Sequence, residues 1–245
     1  MALHIRTLPI LCALLLSGAA PAVLAQDQDD DDFFVFDDDD GAENTTSTIA
    51  DPLEGFNRVM FTVNDKLYRG VLKPVARGLR ILPEPMRIGA ANFFANLRTP
   101  MSAISALLQG DLRNAGSETG RFLLNTTVGV LGLLDPATEV GLVKDEHDLG
   151  QTLGKWGVGH GAYLVLPFVG SSSLREFPGM IATSALNPVY GNAHSDTILA
   201  ANLVSAPVSL SLDKDTYEAF YDSALDPYVF FRSAWVQNRA GRVAK

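Results

Sequence analysis

Residues 51–69 read DPLEGFNRVMFTVNDKLYR, and this stretch predicts the helix that opens the folded part of the chain. Asp51 can cap the helix, Pro52 suits its first position, and Glu54 stands three residues after the cap, as is typical of a helix start. Apolar residues then recur at spacings of three and four, and they form one stripe: Leu53, Phe56, Met60, Val63 and Leu67. The sequence therefore predicts an amphipathic helix.

The same periodicity, with similar start and stop signals, predicts that the rest of the domain is helical. Further helices are expected at 85–96, 101–108, 111–127, 136–141, 149–156, 173–185, 197–212, 215–223 and 227–238. A kink is expected at Pro207. Only residues 162–169 have the composition of an extended strand, and Pro167 lies inside them. The predicted fold class is therefore all-α.

The first 25 residues have the build of a secretory signal peptide. Arg6 precedes an apolar run at 8–16, and small residues lead to Ala25. The alternative, an uncleaved membrane anchor, is disfavoured because this run is too short to span the roughly 30 Å of hydrocarbon in a bilayer. We expect the mature chain to begin at Gln26.

Cys12 is the only cysteine, and it lies inside the apolar run of the predicted signal peptide. A bacterial lipoprotein signal instead places its cysteine at the end of that run, after a small residue such as Gly or Ala. Leu11 precedes Cys12, so the pattern does not match. If cleavage follows Ala25, the exported protein has no disulfide, no thiol chemistry and no cysteine that could carry a lipid anchor.

The net charge of −9 is concentrated in one segment. Residues 26–43 hold nine aspartates and Glu43 without a basic residue, whereas residues 44–245 contain 18 acidic and 18 basic side chains. A neutral domain argues against nucleic-acid binding, which needs clustered Lys and Arg without compensating acids. We predict a disordered acidic leader at 26–50, a helical domain at 51–240 and a short tail at 241–245.

The acidic leader contains an apolar insert, Phe33-Phe34-Val35-Phe36, between two blocks of aspartate. The simplest interpretation is a solvated leader, because blocks of like charge repel one another. Alternatively, the insert docks on a partner or dips into a membrane, or the aspartates bind a divalent cation weakly. The sequence leaves these three roles open.

Four long segments of the domain contain no Lys, Arg, Asp or Glu: 122–134, 156–174, 177–193 and 197–212. Each is too short to span a membrane or is broken by Gly, Pro, Asn or Ser. Any one of them would fit an ordinary buried core. Four such segments in one domain indicate that part of its surface faces acyl chains.

No catalytic set or metal-binding pattern stands out. The histidines are His4, His147, His160 and His194, and no Gly-x-Ser-x-Gly motif surrounds the serines at 171–173. Residues 145–148 (DEHD) could hold a metal but are more typical of a solvated turn. The glycines at 157–161 lack the lysine of a phosphate-binding loop. We predict a protein that is not an enzyme and uses no metal or cofactor.

A series of motifs, in order along the chain, carries a resemblance to a known family. They are DPLEGFNR (51–58), KPVA (73–76), PEPMR (83–87), NFFANL (92–97), LQGD (108–111), RFLLNT (121–126), GLLD (132–135), DLGQTLG (148–154), WGVG (156–159), YLVLP (163–167), LR (174–175) and DPY (226–228). Together they resemble the VacJ/MlaA family of outer-membrane lipid-transport proteins, over about residues 51–239.

The resemblance implies a ring-like helical domain with a central amphipathic channel, lying in the periplasmic leaflet of the Gram-negative outer membrane. It also implies a trimeric outer-membrane porin and a soluble periplasmic lipid carrier as partners. The transported ligand would be phospholipid, removed from the outer leaflet without a covalent step so that lipid asymmetry is maintained. Members of the family are typically lipoproteins, and this sequence departs from them because it lacks the acceptor cysteine.

The motif match suggests two groups of channel residues. Asn57, Phe61 and Asn64 on the first helix are expected at the channel or its rim. The alternative is that Phe61 belongs to the core and the asparagines lie on the surface.

Residues 128–134 resemble the family's hairpin beside the channel. Here Val128, Val130, Leu131 and Leu133 would contact lipid, and Gly129 and Gly132 would let the segment flex as a gate. The alternative is a buried turn.

Two other functions remain open at this stage. The first is a periplasmic envelope-binding or structural protein that contacts the membrane or a porin without moving lipid. The second is a lipid hydrolase that uses some of the histidines His147, His160 and His194.

Overall fold

The computed structural model describes residues 49–187, 195–213 and 215–244, and these residues are mostly helical. The helices are α1 (Glu54–Leu67), α2 (Lys73–Leu79), α3 (Glu84–Asn96), α4 (Thr99–Leu108), α5 (Leu112–Thr127), α6 (Pro136–Glu139), α7 (Leu149–Lys155), α8 (Glu176–Leu186), α9 (Ser195–Leu212), α10 (Thr216–Ser223) and α11 (Pro227–Ala244). A π-helical turn, Tyr68–Leu72, joins α1 to α2.

A short hairpin interrupts the helices. Strands β1 (Tyr163–Leu166) and β2 (Gly170–Ser173) pair antiparallel, with Tyr163 opposite Ser173. The prediction of one extended segment at 162–169 was incomplete, because β1 lies inside it and β2 follows it. Phe168 and Gly170 both have positive φ angles, 67° and 92°, and they reverse the chain between the strands.

The predicted helices are confirmed to within three residues at every end except the last, and α2 was not predicted. The helix expected at 173–185 begins instead at Glu176, because Ser173 pairs with β1. The last helix passes the expected end at Asn238 and reaches Ala244, so it includes most of the segment 241–245 that we predicted as a tail. The predicted signal peptide, Cys12, nearly all of the acidic leader and His194 lie outside the described residues.

The packing of the elements follows a closed circuit. Helix α1 lies on the hairpin and leads into α2, while α2 and α3 both pack on α9. Helix α3 meets α4 and α5, which pack on each other, and α4 also meets α7. Helix α7 packs on α8 and α11, and these two return to β2 beside α1. This order of contacts is the connectivity of a ring.

The interior holds few large apolar side chains. Many of the buried hydrophobic residues in the described part of the chain are alanine or valine. A compact apolar cluster forms where the hairpin meets α1 and α11, around Tyr163, Val165 and Tyr228. No helix in the described ranges is long and apolar enough to cross a bilayer.

Candidate functional site

Helix α1 presents part of its apolar stripe to the outside. Leu53, Phe56 and Val63 are exposed, with 48% of Phe56 accessible, whereas Asn57 is completely buried. A helix on a water-soluble domain normally turns its apolar stripe to the core and its polar residues to solvent. The orientation of α1 is therefore partly inverted, because Met60 of the same stripe packs against the apolar cluster around Tyr163 while its neighbours in the stripe are exposed. The periodicity alone could not reveal this.

Helices α4 and α5 show the same inversion. On α4 most of the buried residues are small, including Ser102 and Ser105, although Met101 is buried too. Three large apolar residues of α4 are exposed: Ile104, Leu107 and Leu108. On α5 the buried side chains are mainly polar or charged, and they include Glu118, Arg121 and Asn125. Apolar surface of this extent is unusual on a protein surrounded by water and marks contact with a membrane, a ligand or a partner.

Asn57 and Asn64, which we predicted at a channel or its rim, bind the hairpin instead. The Asn57 amide donates to the carbonyl oxygen of Tyr163 at 3.0 Å and accepts from the N–H of Val165 at 2.8 Å. It also donates to Asp51 at 2.7 Å. Because both ends of this buried amide are used, Asn57 is not free to line a channel, and it is not a surface residue either.

Asn64 repeats this arrangement two helical turns later. Its amide donates to the carbonyl oxygen of Leu166 at 2.9 Å and accepts from the N–H of Phe168 at 2.8 Å. The two asparagines thus supply hydrogen-bonding partners along β1. Nothing in the sequence indicates this role, because the partners lie more than 100 residues away.

Phe61 lies in an aromatic cluster between α1, α10 and α11. Its ring is 5.8 Å from Tyr228 in an edge-on arrangement and 5.9 Å from Phe231. It also packs against the apolar cluster around Tyr163. This position fits the alternative in which Phe61 belongs to the core.

The segment 128–134 forms a tight turn whose glycines are buried and whose apolar side chains are exposed. A Cβ atom on Gly129 would lie 2.5 Å from the carbonyl oxygen of Asn125, and one on Gly132 would lie 2.6 Å from the Cβ of Asn96. Gly132 also has a φ of 91°. The glycines are therefore required for close packing against α3 and α5. The exposed side chains are Val128, Val130, Leu131, Leu133 and Leu134.

Buried polar groups hold the base of this turn. Arg121 contacts Asp135 at 2.7 Å, and the amide of Asn125 donates to the other Asp135 oxygen at 2.8 Å. Asn125 also accepts from the N–H of Ala137 at 3.1 Å. Burial opposes ionisation of Asp135, but hydrogen bonds from Thr138 and Asn125 and the charge of Arg121 hold its pKa below the usual range. The turn is thus fixed to α5 and α6 through a charged network.

The two groups of predicted site residues lie at different places on the circuit. Asn57, Phe61 and Asn64 are at the junction of α1 with the hairpin and α11. The turn 128–134 lies against α3 and α5. The burial of Asn57 makes it a framework residue. A place for Asn64 at the rim of a channel and lipid contact by the exposed apolar residues of the turn stay predictions.

Residues 145–148, where we considered a metal site, belong to an ion-pair network. Asp148 caps α7 in a capping box with Gln151, and Arg239 of α11 contacts both Asp148 oxygens at 2.7 and 2.9 Å. Arg239 also binds Glu176 at the start of α8. Three helices thus meet at one arginine. Within the described ranges no group of three or more His, Cys, Asp or Glu is placed to hold a metal ion.

The two described histidines of the domain have structural contacts, and the backbone N–H of His147 donates to the hydroxyl of Ser102 at 2.8 Å. The Nδ1 atom of His147 lies 2.8 Å from the backbone oxygen of Asp145. His160 packs edge-on against Trp235, and burial together with nearby Arg175 and Arg239 lowers its pKa.

Comparisons with known proteins agree with this geometry. A profile of the MlaA lipoprotein family matches residues 49–242. An uncharacterized protein of Rickettsia typhi is 34% identical over 203 residues, which are 82% of this chain and 81% of the relative. The intermembrane phospholipid transport system lipoprotein MlaA of Haemophilus influenzae is 32% identical over 193 residues, or 77% of each chain.

A solved structure that describes the structural basis for maintenance of bacterial outer membrane lipid asymmetry has the same fold. It aligns with a TM-score of 0.72 and 35% identity, and the match covers 79% of this chain and 99% of that one. The helical circuit, the family profile and the relatives agree: the chain belongs to the MlaA lipoprotein family.

Proposed function

We propose that this protein moves phospholipid out of the outer leaflet of the outer membrane and passes it to a soluble periplasmic carrier, without a chemical step. The observation that carries the proposal is the inverted surface of the domain. Helices α1 and α4 and the turn 128–134 expose large apolar side chains, while polar side chains fill much of the interior. A relative that is 32% identical to this chain is named as part of an intermembrane phospholipid transport system.

The energetic problem is the exposure of acyl chains to water. At ~0.8 kcal/mol per CH₂, a phospholipid with on the order of 30 methylenes would cost more than ~20 kcal/mol to expose. A protein lowers this barrier by offering apolar side chains to the acyl chains and neutral polar groups to the headgroup. Fixed charges suit such a path poorly, because a charge taken out of water needs a partner.

The turn 128–134 is the best-supported lipid contact in the described residues. Its apolar side chains are exposed, with 63% of Leu131 accessible, and its backbone is held in place by Asn96 and Asn125. Val130 and Leu131 would therefore meet acyl chains as parts of a fixed apolar wedge. We propose this fixed wedge in place of a gate that flexes at Gly129 and Gly132.

The proposed location is the periplasmic face of the outer membrane. There the exposed apolar residues of α1 and α4 would face acyl chains and help to attach the domain to the membrane. A trimeric porin and a soluble carrier are the proposed protein partners. The proposal is supported by a relative that is named as part of an intermembrane phospholipid transport system.

Transfer of labelled phospholipid tests the function directly. The full chain, exported and purified in mild detergent, is reconstituted into donor vesicles that contain a fluorescent phospholipid, and a soluble lipid-binding acceptor is added. We expect co-purified phospholipid and faster transfer than from protein-free vesicles. An envelope-binding protein that moves no lipid would associate with the vesicles without accelerating transfer, and that result would overturn the proposal.

A further inference from the structure

A second apolar surface lies where α4, α5 and α7 meet. Helix α4 ends at Leu108, α5 begins at Leu112, and Trp156 follows the end of α7. The indole N–H of Trp156 donates to the carbonyl oxygen of Leu108 at 3.1 Å, which joins the three elements. We call this surface the Trp156 corner, and it consists of Leu107, Leu108, Leu112, Trp156 and Val158.

The side chains of the Trp156 corner are exposed although they are large and apolar. Trp156 is 60% accessible and Leu112 is 72% accessible. The indole N–H is the only polar group of the Trp156 side chain, and it already donates to Leu108. The exposed face of the ring is therefore apolar and favours an apolar environment. Tryptophan in this situation is enriched where a protein crosses from hydrocarbon to lipid headgroups.

Two basic residues flank the Trp156 corner. Lys155 precedes the tryptophan, and the exposed Arg113 lies in the first turn of α5. Across the described part of the chain, neither has an acidic partner within 4.0 Å, unlike Lys144, which pairs with Glu146 at 3.1 Å. The nearby carboxylate of Asp111 is bound by the backbone and side chain of Asn114. The charge of Lys155 also acts on Asp111 and helps to lower the pKa of that carboxyl group, so Lys155 is partly balanced. The corner therefore combines apolar surface with two basic side chains that form no close ion pair.

We propose that the Trp156 corner lies at the membrane–water interface, with Trp156 at the level of the lipid headgroups and Lys155 and Arg113 beside lipid phosphates. The occupant is a phospholipid surface, because cationic side chains beside an exposed indole match anionic phosphate above hydrocarbon. The inference rests on the proposed function only in that the protein contacts a membrane. It adds that the edge of the domain where α4, α5 and α7 meet faces the lipid headgroups.

Fluorescence of Trp156 tests this placement. The chain has two tryptophans, and Trp235 is packed against Tyr163 at 5.6 Å, so Trp235→Phe leaves Trp156 as the only reporter. This variant is bound to vesicles of phosphatidylethanolamine and phosphatidylglycerol that carry bromine at different depths. We expect a blue shift, stronger quenching by bromine near the headgroup than near the chain ends, and several-fold weaker quenching by acrylamide.

Charge variants provide the second measurement. Lys155→Gln and Arg113→Gln should each weaken binding to the anionic vesicles about five-fold and binding to zwitterionic vesicles much less. Lys144→Gln is the matched control, because that lysine is exposed but paired, and it should change binding by less than about two-fold.

The outcomes separate the inference from the proposed function. If the protein binds vesicles and transfers lipid while Trp156 stays accessible to acrylamide, the placement is wrong and the function stands. If the protein binds no vesicles, both fail. If Trp156 becomes shielded without lipid as protein concentration rises, a second copy of the chain covers the corner and the placement is overturned.

Discussion

Asn57 and Asn64 are seven residues apart on α1, and their amides make the same pair of hydrogen bonds to positions three residues apart in the hairpin segment. Seven residues of helix rise about 10.5 Å, and three residues of strand span about 10 Å. The helix and the strand therefore run side by side with matched repeats. Each asparagine amide donates one hydrogen bond and accepts one, as the backbone of a neighbouring strand would do.

Replacing these asparagines should destabilise the protein to different degrees. Asn57→Ala leaves a buried N–H of Val165 and a carbonyl of Tyr163 without partners, and we expect a loss of about 2–4 kcal/mol in the free energy of unfolding. Asn64→Ala should cost about 1 kcal/mol, because water can reach the exposed Phe168. Denaturant titration in detergent measures both. Equal losses would show that the burial of Asn57 is not what makes it important.

The close packing of the turn predicts that Gly132 cannot accept a side chain. Gly132→Ala adds backbone strain and a clash with Asn96, and we expect a loss of about 3 kcal/mol in the free energy of unfolding. Gly141→Ala is the matched control, because Gly141 also has positive φ but open space around it, and it should lose about 1 kcal/mol. Thermal unfolding of both variants provides the comparison. Similar losses would mean that the turn can move away from Asn96, as a flexible gate would.

Local signals explain why much of the fold could be predicted from the sequence. Asp111, Asp135 and Asp148 cap α5, α6 and α7 with their own side chains, and such bonds involve neighbouring residues. The segments without charged residues indicated an apolar surface. This signal comes from composition alone, which can be counted without knowing the fold. These features are readable without knowing what packs against them.

The other features depend on contacts between distant residues. Periodicity placed Leu53, Phe56 and Val63 in one stripe of α1 but could not say whether that stripe faces the interior. Strand β2 reads Gly-Ser-Ser-Ser, which has no strand preference, and it forms because β1 is held beside it. The role of Asn57 was missed for the same reason, since Val165 is brought to it only by folding.

Glu118 should make stability depend on pH. It is buried on α5, and burial raises its pKa to about 7, against a contribution from the N–H of Asp145 that lowers it. The unfolded carboxyl group titrates near its ordinary value of 4.5. Between these values the folded state keeps a proton that the unfolded state releases, so the contribution of Glu118 to stability falls as pH rises through this window.

Glu118→Gln tests that dependence. Glutamine keeps an oxygen for the N–H of Asp145 and cannot ionise, so the variant should be more stable than the parent at pH 8, by up to about 3 kcal/mol, and similar to it at pH 4. Urea unfolding from pH 4 to 8 measures the difference, with Glu139→Gln as the exposed control. A difference that does not change with pH would contradict the assignment.

The exposed turn gives the sharpest test of lipid contact. Val130 and Leu131 have φ angles of 54° and 59°, which apolar residues rarely adopt and asparagine tolerates. Val130→Asn and Leu131→Asn should therefore remove apolar surface while leaving stability unchanged or slightly higher. If acyl chains pass over these side chains, phospholipid transfer should fall several-fold. Val140→Asn, a change at another exposed valine, should leave transfer nearly unchanged.

Measuring the melting temperature together with the transfer rate separates the explanations. If a variant transfers phospholipid more slowly but has an unchanged melting temperature, the turn contacts lipid, because loss of folding cannot explain the slower transfer. Full transfer by both folded variants would remove the turn from the lipid path and leave the exposed stripes of α1 and α4 as the surfaces that act on lipid.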